Sequence, residues 1–174
     1  MTWTSFHRRG EILRDAIASA NRRRDGLLPL DVPGVHETFP DELSLLGALQ
    51  LRWHTRLAGR IERELMLQPL DLESAVVAAW QATADELPGV LAIVDRQRAT
   101  PATPEIAVAM EKSAAKEHIL LAMMAGRVSV PDAAAARVGA AIEEQARATY
   151  VGAPAPEEPE ARTLLGRLKA ALAA

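Results

Sequence analysis

The sequence predicts an all-α protein, built as a bundle of four to five main antiparallel helices with a short C-terminal helix after a Pro-rich linker. Of the 174 residues, 49% are hydrophobic but only 3% are aromatic, so aliphatic side chains and alanine have to form the core. Apolar residues recur at every third or fourth position along most of the chain, which is the period of one face of a helix. Prolines fall where these patterns begin or end, as expected for helix boundaries.

The chain divides into three predicted parts. Residues 1–151 are expected to form the helical bundle domain, which is long enough to bury about 70% of the surface that the unfolded chain exposes. Residues 152–159 contain three prolines and two glutamates, a composition typical of a linker. Residues 160–174 can form an amphipathic helix whose apolar stripe consists of Leu164, Leu165, Leu168 and Leu172.

The first helix is predicted from about Thr4 to Arg24, because cationic residues followed by a glycine are an ordinary stop signal. The segment from Leu27 to Phe39 mixes prolines with apolar residues and is expected to be an ordered connector that lies on the bundle. The second helix, from Asp41 to Gln68, is the longest stretch without a proline. Thr38 and Asp41 are expected to form a capping box that opens it.

Three further helices follow in the main domain. Asp71 is expected to cap the third, and Pro88 interrupts its pattern, so this helix is either kinked or divided there. Thr103 is expected to cap the fourth, which would end near residue 126. Ser129 and Asp132 resemble a capping box for the fifth, which would end at about residue 150.

Four polar residues occupy positions where the helical pattern calls for core. Gln50, His54 and Glu64 lie on the apolar side of the second helix, and Glu117 lies on the apolar side of the fourth. They are candidates for a ligand site between the helices, and they are equally candidates for a hydrogen-bond network that fixes the helix register. In both cases we expect His54 and Glu117 to approach each other in the core.

Motifs for catalysis, metal binding and cofactor binding are missing from the sequence. A di-iron helical bundle needs two Glu-x-x-His pairs, and no glutamate here has a histidine three residues later. No serine lies in a glycine elbow, and no glycine-rich phosphate loop is found. We therefore predict no catalytic residue, no metal and no cofactor.

The second helix also carries a stripe of four arginines, and they are Arg52, Arg56, Arg60 and Arg63. Guanidinium groups along one face can bind oxyanions or an acidic protein partner, although such a stripe is more often solvated or paired with nearby acids. Gly47 and Gly59 lie in the same helix, where glycine costs stability relative to alanine. We expect another helix to approach the backbone closely at these two positions.

Composition limits where the protein acts and what it binds. The chain has no cysteine and a net charge of −3, which excludes disulfides and zinc–thiolate sites and gives no reason to expect nucleic acid. No signal peptide and no apolar run of membrane-spanning length is found, so a cytoplasmic protein without membrane contact is expected. Arginine outnumbers lysine 17 to 3, and with the many alanines this suggests a GC-rich bacterial genome.

These observations favour a non-enzymatic helical protein that acts by protein–protein interaction or by forming homo-oligomers. The C-terminal leucine stripe needs a groove, and the linker is long enough for docking across a subunit boundary, so a homo-oligomer is expected, with a further protein partner as another option. The alternative is a helical bundle that binds a small ligand or a metal in its core, and such a protein could be an enzyme.

Overall fold

The computed structural model describes residues 3–152, and for residues 3–6 it describes the backbone alone. Within this range all regular secondary structure is helical and no strand is formed, so the predicted all-α class is confirmed. The predicted C-terminal helix and the linker beyond Gly152 lie outside the described residues. The described residues form seven helices, namely α1 (Trp3–Arg23), α2 (Val35–Thr38), α3 (Glu42–Leu67), α4 (Leu72–Glu86), α5 (Pro88–Ala99), α6 (Pro104–Met124) and α7 (Ala133–Ala148).

Short polar side chains determine where four of the helices begin. The side chains of Asp41, Asp71, Thr103 and Asp132 each accept a hydrogen bond from the backbone N–H three residues later, at distances between 2.7 and 3.3 Å. An N-cap does this because the first N–H groups of a helix have no partner within it. Two predicted capping boxes are therefore wrong, since Thr38 belongs to α2 and Ser129 precedes the true cap of α7.

The predicted third helix is divided in two at Pro88, one of the two arrangements that its sequence allowed. A proline lacks the backbone N–H that a continuous helix needs. Asn21 of α1 bridges the break, because its Nδ2 donates to the carbonyl of Glu86 at 3.2 Å and its Oδ1 accepts from the N–H of Gly89 at 2.9 Å. A Cβ atom at Gly89 would overlap the backbone of Ala20, so α1 and α5 pack as closely as they do only because this residue is glycine.

The core takes buried side chains from α1 and from α3 to α7, and most of them are aliphatic. Trp53 and Trp80 are almost fully buried and meet edge to face with ring centroids 5.9 Å apart, a favourable aromatic geometry. The most extensive helix contacts join α6 to α7 and α3 to α4. In the connector before α3, Val35 and Phe39 are buried, so this segment is ordered on the surface of the other helices as predicted.

Among the described residues, no other helix makes the close approach that is expected at Gly47 and Gly59. No described atom outside the local helix lies within 4 Å of a Cβ placed at either position. Close approach occurs instead at Gly89 and at Gly139, where a Cβ would overlap the backbone of His118 on α6. Among the helices described between residues 3 and 152, none combines the length and the apolar character needed to cross a membrane.

Candidate functional site

His54 and Glu117 meet in the interior, as the sequence predicts. Nε2 of His54 on α3 lies 3.0 Å from Oε2 of Glu117 on α6. The same carboxylate oxygen accepts a hydrogen bond from Nε1 of Trp53 at 3.2 Å. The Glu117 side chain is only 2% exposed, whereas the His54 side chain is 29% exposed. The pair therefore runs from the core toward the surface, with the histidine at the outer end.

Arg98 on α5 joins this pair to a second buried carboxylate. Its Nη2 lies 3.4 Å from Oε2 of Glu117, and its Nη1 donates to Oε1 of Glu143 on α7 at 3.0 Å. The Nε of Arg98 is buried and has no hydrogen-bond acceptor among the described residues. One guanidinium group therefore neutralises two carboxylates from different helices through its terminal nitrogens.

Glu143 has two further partners besides Arg98. His118 Nε2 lies 2.7 Å from its Oε2, and Arg147 Nε donates to its Oε1 at 2.8 Å. Burial alone would raise the pKa of Glu143, but the hydrogen bond with His118 and the charges of Arg98 and Arg147 outweigh it and lower the pKa to about 2. The carboxylate is therefore ionised throughout the physiological pH range.

Arg147 extends the network from α7 to α5. Its two terminal nitrogens donate to the two carboxylate oxygens of Asp95 at 3.1 and 2.7 Å, which is the bidentate geometry that arginine favours. Burial lowers the pKa of Arg147, and its contacts with Asp95 and Glu143 more than reverse this and raise it. The guanidinium also lies 4.9 Å from the ring centroid of Trp80, a cation–π distance.

We name this set the interior network, and it consists of His54, Asp95, Arg98, Glu117, His118, Glu143 and Arg147. Its charges alternate, and every carboxylate in it contacts at least one cationic or histidine side chain. No group of three or more His, Asp or Glu side chains within the described residues is arranged to hold a metal ion. Arg98 lies between Glu117 and Glu143, and Arg147 lies between Glu143 and Asp95, so guanidinium groups neutralise these carboxylates. The network thus ties α3, α5, α6 and α7 together.

Two other predicted core residues lie apart from the histidine–glutamate pair. Gln50 is buried, and its Nε2 donates to the Sδ of Met110 at 3.0 Å. Glu64 is half-buried near the far end of α3, ten residues and therefore about 15 Å along the axis from His54. The four residues predicted as a ligand site are thus spread along α3 and α6 and do not surround one point.

Arg98 and Glu143, which form the centre of the interior network, were not predicted from the sequence. Glu143 carries the same signal that identified Glu117, because it lies among Ile142, Gly139 and Ala146 on the buried side of its helix. Its spacing of four residues before Arg147 is also a favourable helical ion pair. Arg98 gives no such signal, since the sequence alone does not place it between two acids from other helices.

The four arginines of α3 lie along a groove on the outside of the molecule. Arg56 Nε and Arg60 Nη2 contact the carboxylate of Glu86 at the end of α4, at 2.7 and 3.2 Å. A cavity of about 490 Å³ is lined by Arg52, Thr55, Arg56, Gly59, Arg60, Arg63 and Glu86. In this part of the groove four arginines face one glutamate, so its charge is positive.

A second cavity continues the first along α3 toward α1. It has a volume of about 520 Å³, shares Arg52 and Thr55 with the first, and is lined elsewhere by Arg9, Gly10, Leu13, Ser44, Gly47, Ala48 and Leu51. Leu51 is 67% exposed. The two cavities together are named the α3 groove, with an arginine end near Glu86 and an apolar end between α1 and α3.

Comparison with known proteins identifies no relative of this chain. It matches no protein-family model, no curated protein and no solved structure.

Proposed function

We propose that the protein is a non-enzymatic helical interaction protein that binds an amphipathic helix of leucines and glutamates in the α3 groove. The observation that carries the proposal is the open space above three helical glycines, Gly10, Gly47 and Gly59. No described atom outside the local helix lies within 4 Å of a Cβ placed at any of them. All three therefore present bare backbone along one continuous groove.

A glycine inside a helix costs about 0.5–1 kcal/mol relative to alanine. At Gly89 and Gly139 this cost is offset by close packing, because a Cβ there would overlap a neighbouring helix. At the groove glycines nothing in the described residues offsets it. A helix laid in the groove would supply the missing contact, because the absence of side chains lets a backbone approach closely.

The two ends of the groove determine the chemistry of the helix that fits. Leu13, Ala48 and Leu51 offer apolar contact at one end, where leucines at helical spacing can be buried. At the other end the arginines can make bidentate contacts with carboxylates. A segment with glutamates at one end and a leucine stripe at the other is complementary to both.

The interior network supports an interaction protein over a ligand-binding core. A ligand site would leave His54 and Glu117 directed at an open space, whereas they bond to each other. In this proposal the network fixes the helix register, and the helices form the antiparallel bundle that the sequence predicts. The expected cytoplasmic location belongs to the same proposal.

A peptide titration followed by NMR tests the proposal on the full chain. The probe is a synthetic helical peptide with glutamates in its first turn and leucines at i, i+3 and i+4 spacing. Glycine amides resonate in a separate region of the spectrum, and this chain has glycines both in the groove and in the interior. We expect the peptide to shift the signals of Gly10, Gly47 and Gly59.

Gly89 and Gly139 are internal controls, because they are buried in helix contacts away from the groove. Their signals should not move. A peptide with the leucines replaced by serine should leave all five signals unchanged. No response from the groove glycines to the leucine peptide, or an equal response from the interior glycines, would rule out the groove as the binding surface.

A further inference from the structure

We propose that the arginine end of the α3 groove is a binding site for a phosphate-class dianion, either inorganic phosphate or a phosphomonoester. The inference goes beyond the proposed function, because the site needs neither the apolar end of the groove nor a helical partner. It rests on the position of one glycine among the arginines, on two arginines without a partner, and on the charge of the cavity lining.

Gly59 leaves bare backbone in the middle of the arginine end. On the surface of a helix the neighbours of a residue lie three and four positions away. For Gly59 they include Thr55, Arg56 and Arg63, and Arg60 follows it in the sequence. No described atom outside the local helix lies within 4 Å of a Cβ placed at Gly59. The cavity of about 490 Å³ therefore has bare backbone at its centre and guanidinium side chains around it.

Two of the four arginines in this cavity have no anionic partner among the described residues, and they are Arg52 and Arg63. The other two, Arg56 and Arg60, share the single carboxylate of Glu86. Like charges that line one cavity repel each other, and a bound anion would relieve this repulsion. The unpartnered arginines are therefore available to an anion from solution.

The charge of the lining favours a phosphate group over a carboxylate. Four arginines and one glutamate line the cavity, which leaves a surplus of three positive charges. Glu62 and Glu64, the acids next to Arg63 in the sequence, are not among the residues that line it. A phosphomonoester carries about −1.5 to −2 charges at pH 7 and three acceptor oxygens, whereas a carboxylate carries one charge and two oxygens. The phosphate group can therefore bond to more guanidinium forks at once.

Glu86 competes with an incoming anion. Its carboxylate lies 2.7 Å from Nε of Arg56 and 3.2 Å from Nη2 of Arg60, and its side chain is 26% exposed. These contacts neutralise part of the charge that would otherwise attract phosphate. Removal of the negative charge of Glu86 should therefore strengthen phosphate binding.

A titration of inorganic phosphate into the full chain at constant ionic strength tests the inference, with the NMR signal of the Gly59 amide as the readout. Acetate is the carboxylate control. Gly47 at the apolar end and Gly139 in the interior are internal controls. We expect phosphate to shift the Gly59 signal at a concentration about tenfold lower than acetate, and the two control signals should not move.

Arginine variants separate this site from a general effect of surface charge. Arg52→Gln combined with Arg63→Gln should weaken phosphate binding about tenfold or more. The matched control is Arg14→Gln combined with Arg137→Gln, which removes the same charge from exposed positions outside the cavity. This control should leave the affinity for phosphate nearly unchanged.

Glutamate variants test the role of Glu86. Glu86→Gln should strengthen phosphate binding about threefold. Glu62→Gln makes the same change of charge at an exposed position that does not line the cavity, so its effect should be smaller.

Three results would overturn the inference. An equal response of Gly59 to phosphate and acetate would show that the site has no preference for phosphate. Equal weakening by the two arginine pairs would mean that only the overall charge attracts the anion. An effect of Glu86→Gln no larger than that of Glu62→Gln would mean that Glu86 does not face the bound anion.

A further titration identifies the source of the phosphate group. The leucine peptide would carry phosphoserine in place of its first-turn glutamates. Affinity much higher than that of inorganic phosphate supports a phosphorylated partner helix, and equal affinity supports free phosphate or a small phosphomonoester. Binding of the glutamate peptide without a response to phosphate would refute the phosphate site and leave the proposed function in place. The reverse result would remove the helical partner and leave the phosphate site.

Discussion

Arg98 is the side chain whose removal should damage the interior network most. Its guanidinium is 21% exposed and contacts two carboxylates that are 2% and 7% exposed. Replacement by methionine keeps much of the aliphatic stem but leaves both acids without this cation. Removing one partner of a buried ion pair costs about 3–5 kcal/mol, and since each carboxylate keeps other partners we expect the lower limit, about 3 kcal/mol.

Chemical denaturation of Arg98→Met and the parent chain measures this loss as a difference in the free energy of unfolding. For a domain of this size it corresponds to a fall in Tm of about 6–12 °C. Arg137→Met is the matched control, because Arg137 is exposed on α7, and it should change stability by about 0.5 kcal/mol at most.

Combining Arg98→Met with Glu117→Gln should restore part of the lost stability, because the buried charge that Arg98 compensated is then removed as well. A loss below about 1 kcal/mol for Arg98→Met, within the range of an exposed pair, would refute the buried-network interpretation. So would a double variant that is less stable than Arg98→Met alone.

Three further predictions concern pH, glycine packing and metal. The folded state holds the pKa of Glu143 at about 2, below its ordinary value of 4.5. Its contribution of about 3 kcal/mol to the free energy of unfolding is therefore fully present above pH 4.5 and is lost as the pH falls toward 2. Denaturation at pH values from 2 to 6 should show this fall in stability in the parent chain and a smaller fall in Glu143→Gln. Gly47→Ala should stabilise the protein by about 0.5–1 kcal/mol, whereas Gly89→Ala should destabilise it by more than that because its Cβ would overlap Ala20. Thermal melts measure both changes. Changes in stability of the same sign for the two variants would contradict the difference in packing between the two glycines. Melts with and without a strong chelator should superimpose, and a large loss of stability in chelator would instead favour a structural metal.

The helices were predictable because their signals are local. Asp71 and Thr103 each precede an apolar pattern and cap the helix as expected, and Pro88 divides a pattern where a backbone N–H is missing. The two capping boxes failed because two short polar residues three positions apart offer alternative caps, and the sequence does not tell which one accepts the hydrogen bond. In both cases aspartate is the cap.

The site was predictable only in part, because it depends on which helices are neighbours. Glu117 and His54 were identified by their positions on apolar faces, and their contact required only that these two faces meet. Arg98 bridges acids that are 19 and 45 residues away in the chain, so no local pattern identifies it. The glycines show the same limit, since the residue type signals a close approach or an open groove equally well, and only the fold separates Gly89 from Gly47.

The most direct test of the proposed function is the affinity of the α3 groove for an amphipathic helix of leucines and glutamates. The leucine–glutamate peptide described above would carry a fluorescent label and be titrated into the full chain, and binding would be followed by fluorescence anisotropy. Adding Leu51→Glu should weaken binding at least tenfold, because a buried leucine contributes about 1.5–3 kcal/mol and each 1.4 kcal/mol is about a factor of ten, whereas adding Leu70→Glu should leave the affinity unchanged. Binding that is indifferent to Leu51→Glu, or equally sensitive to both substitutions, would contradict the groove as the interaction surface.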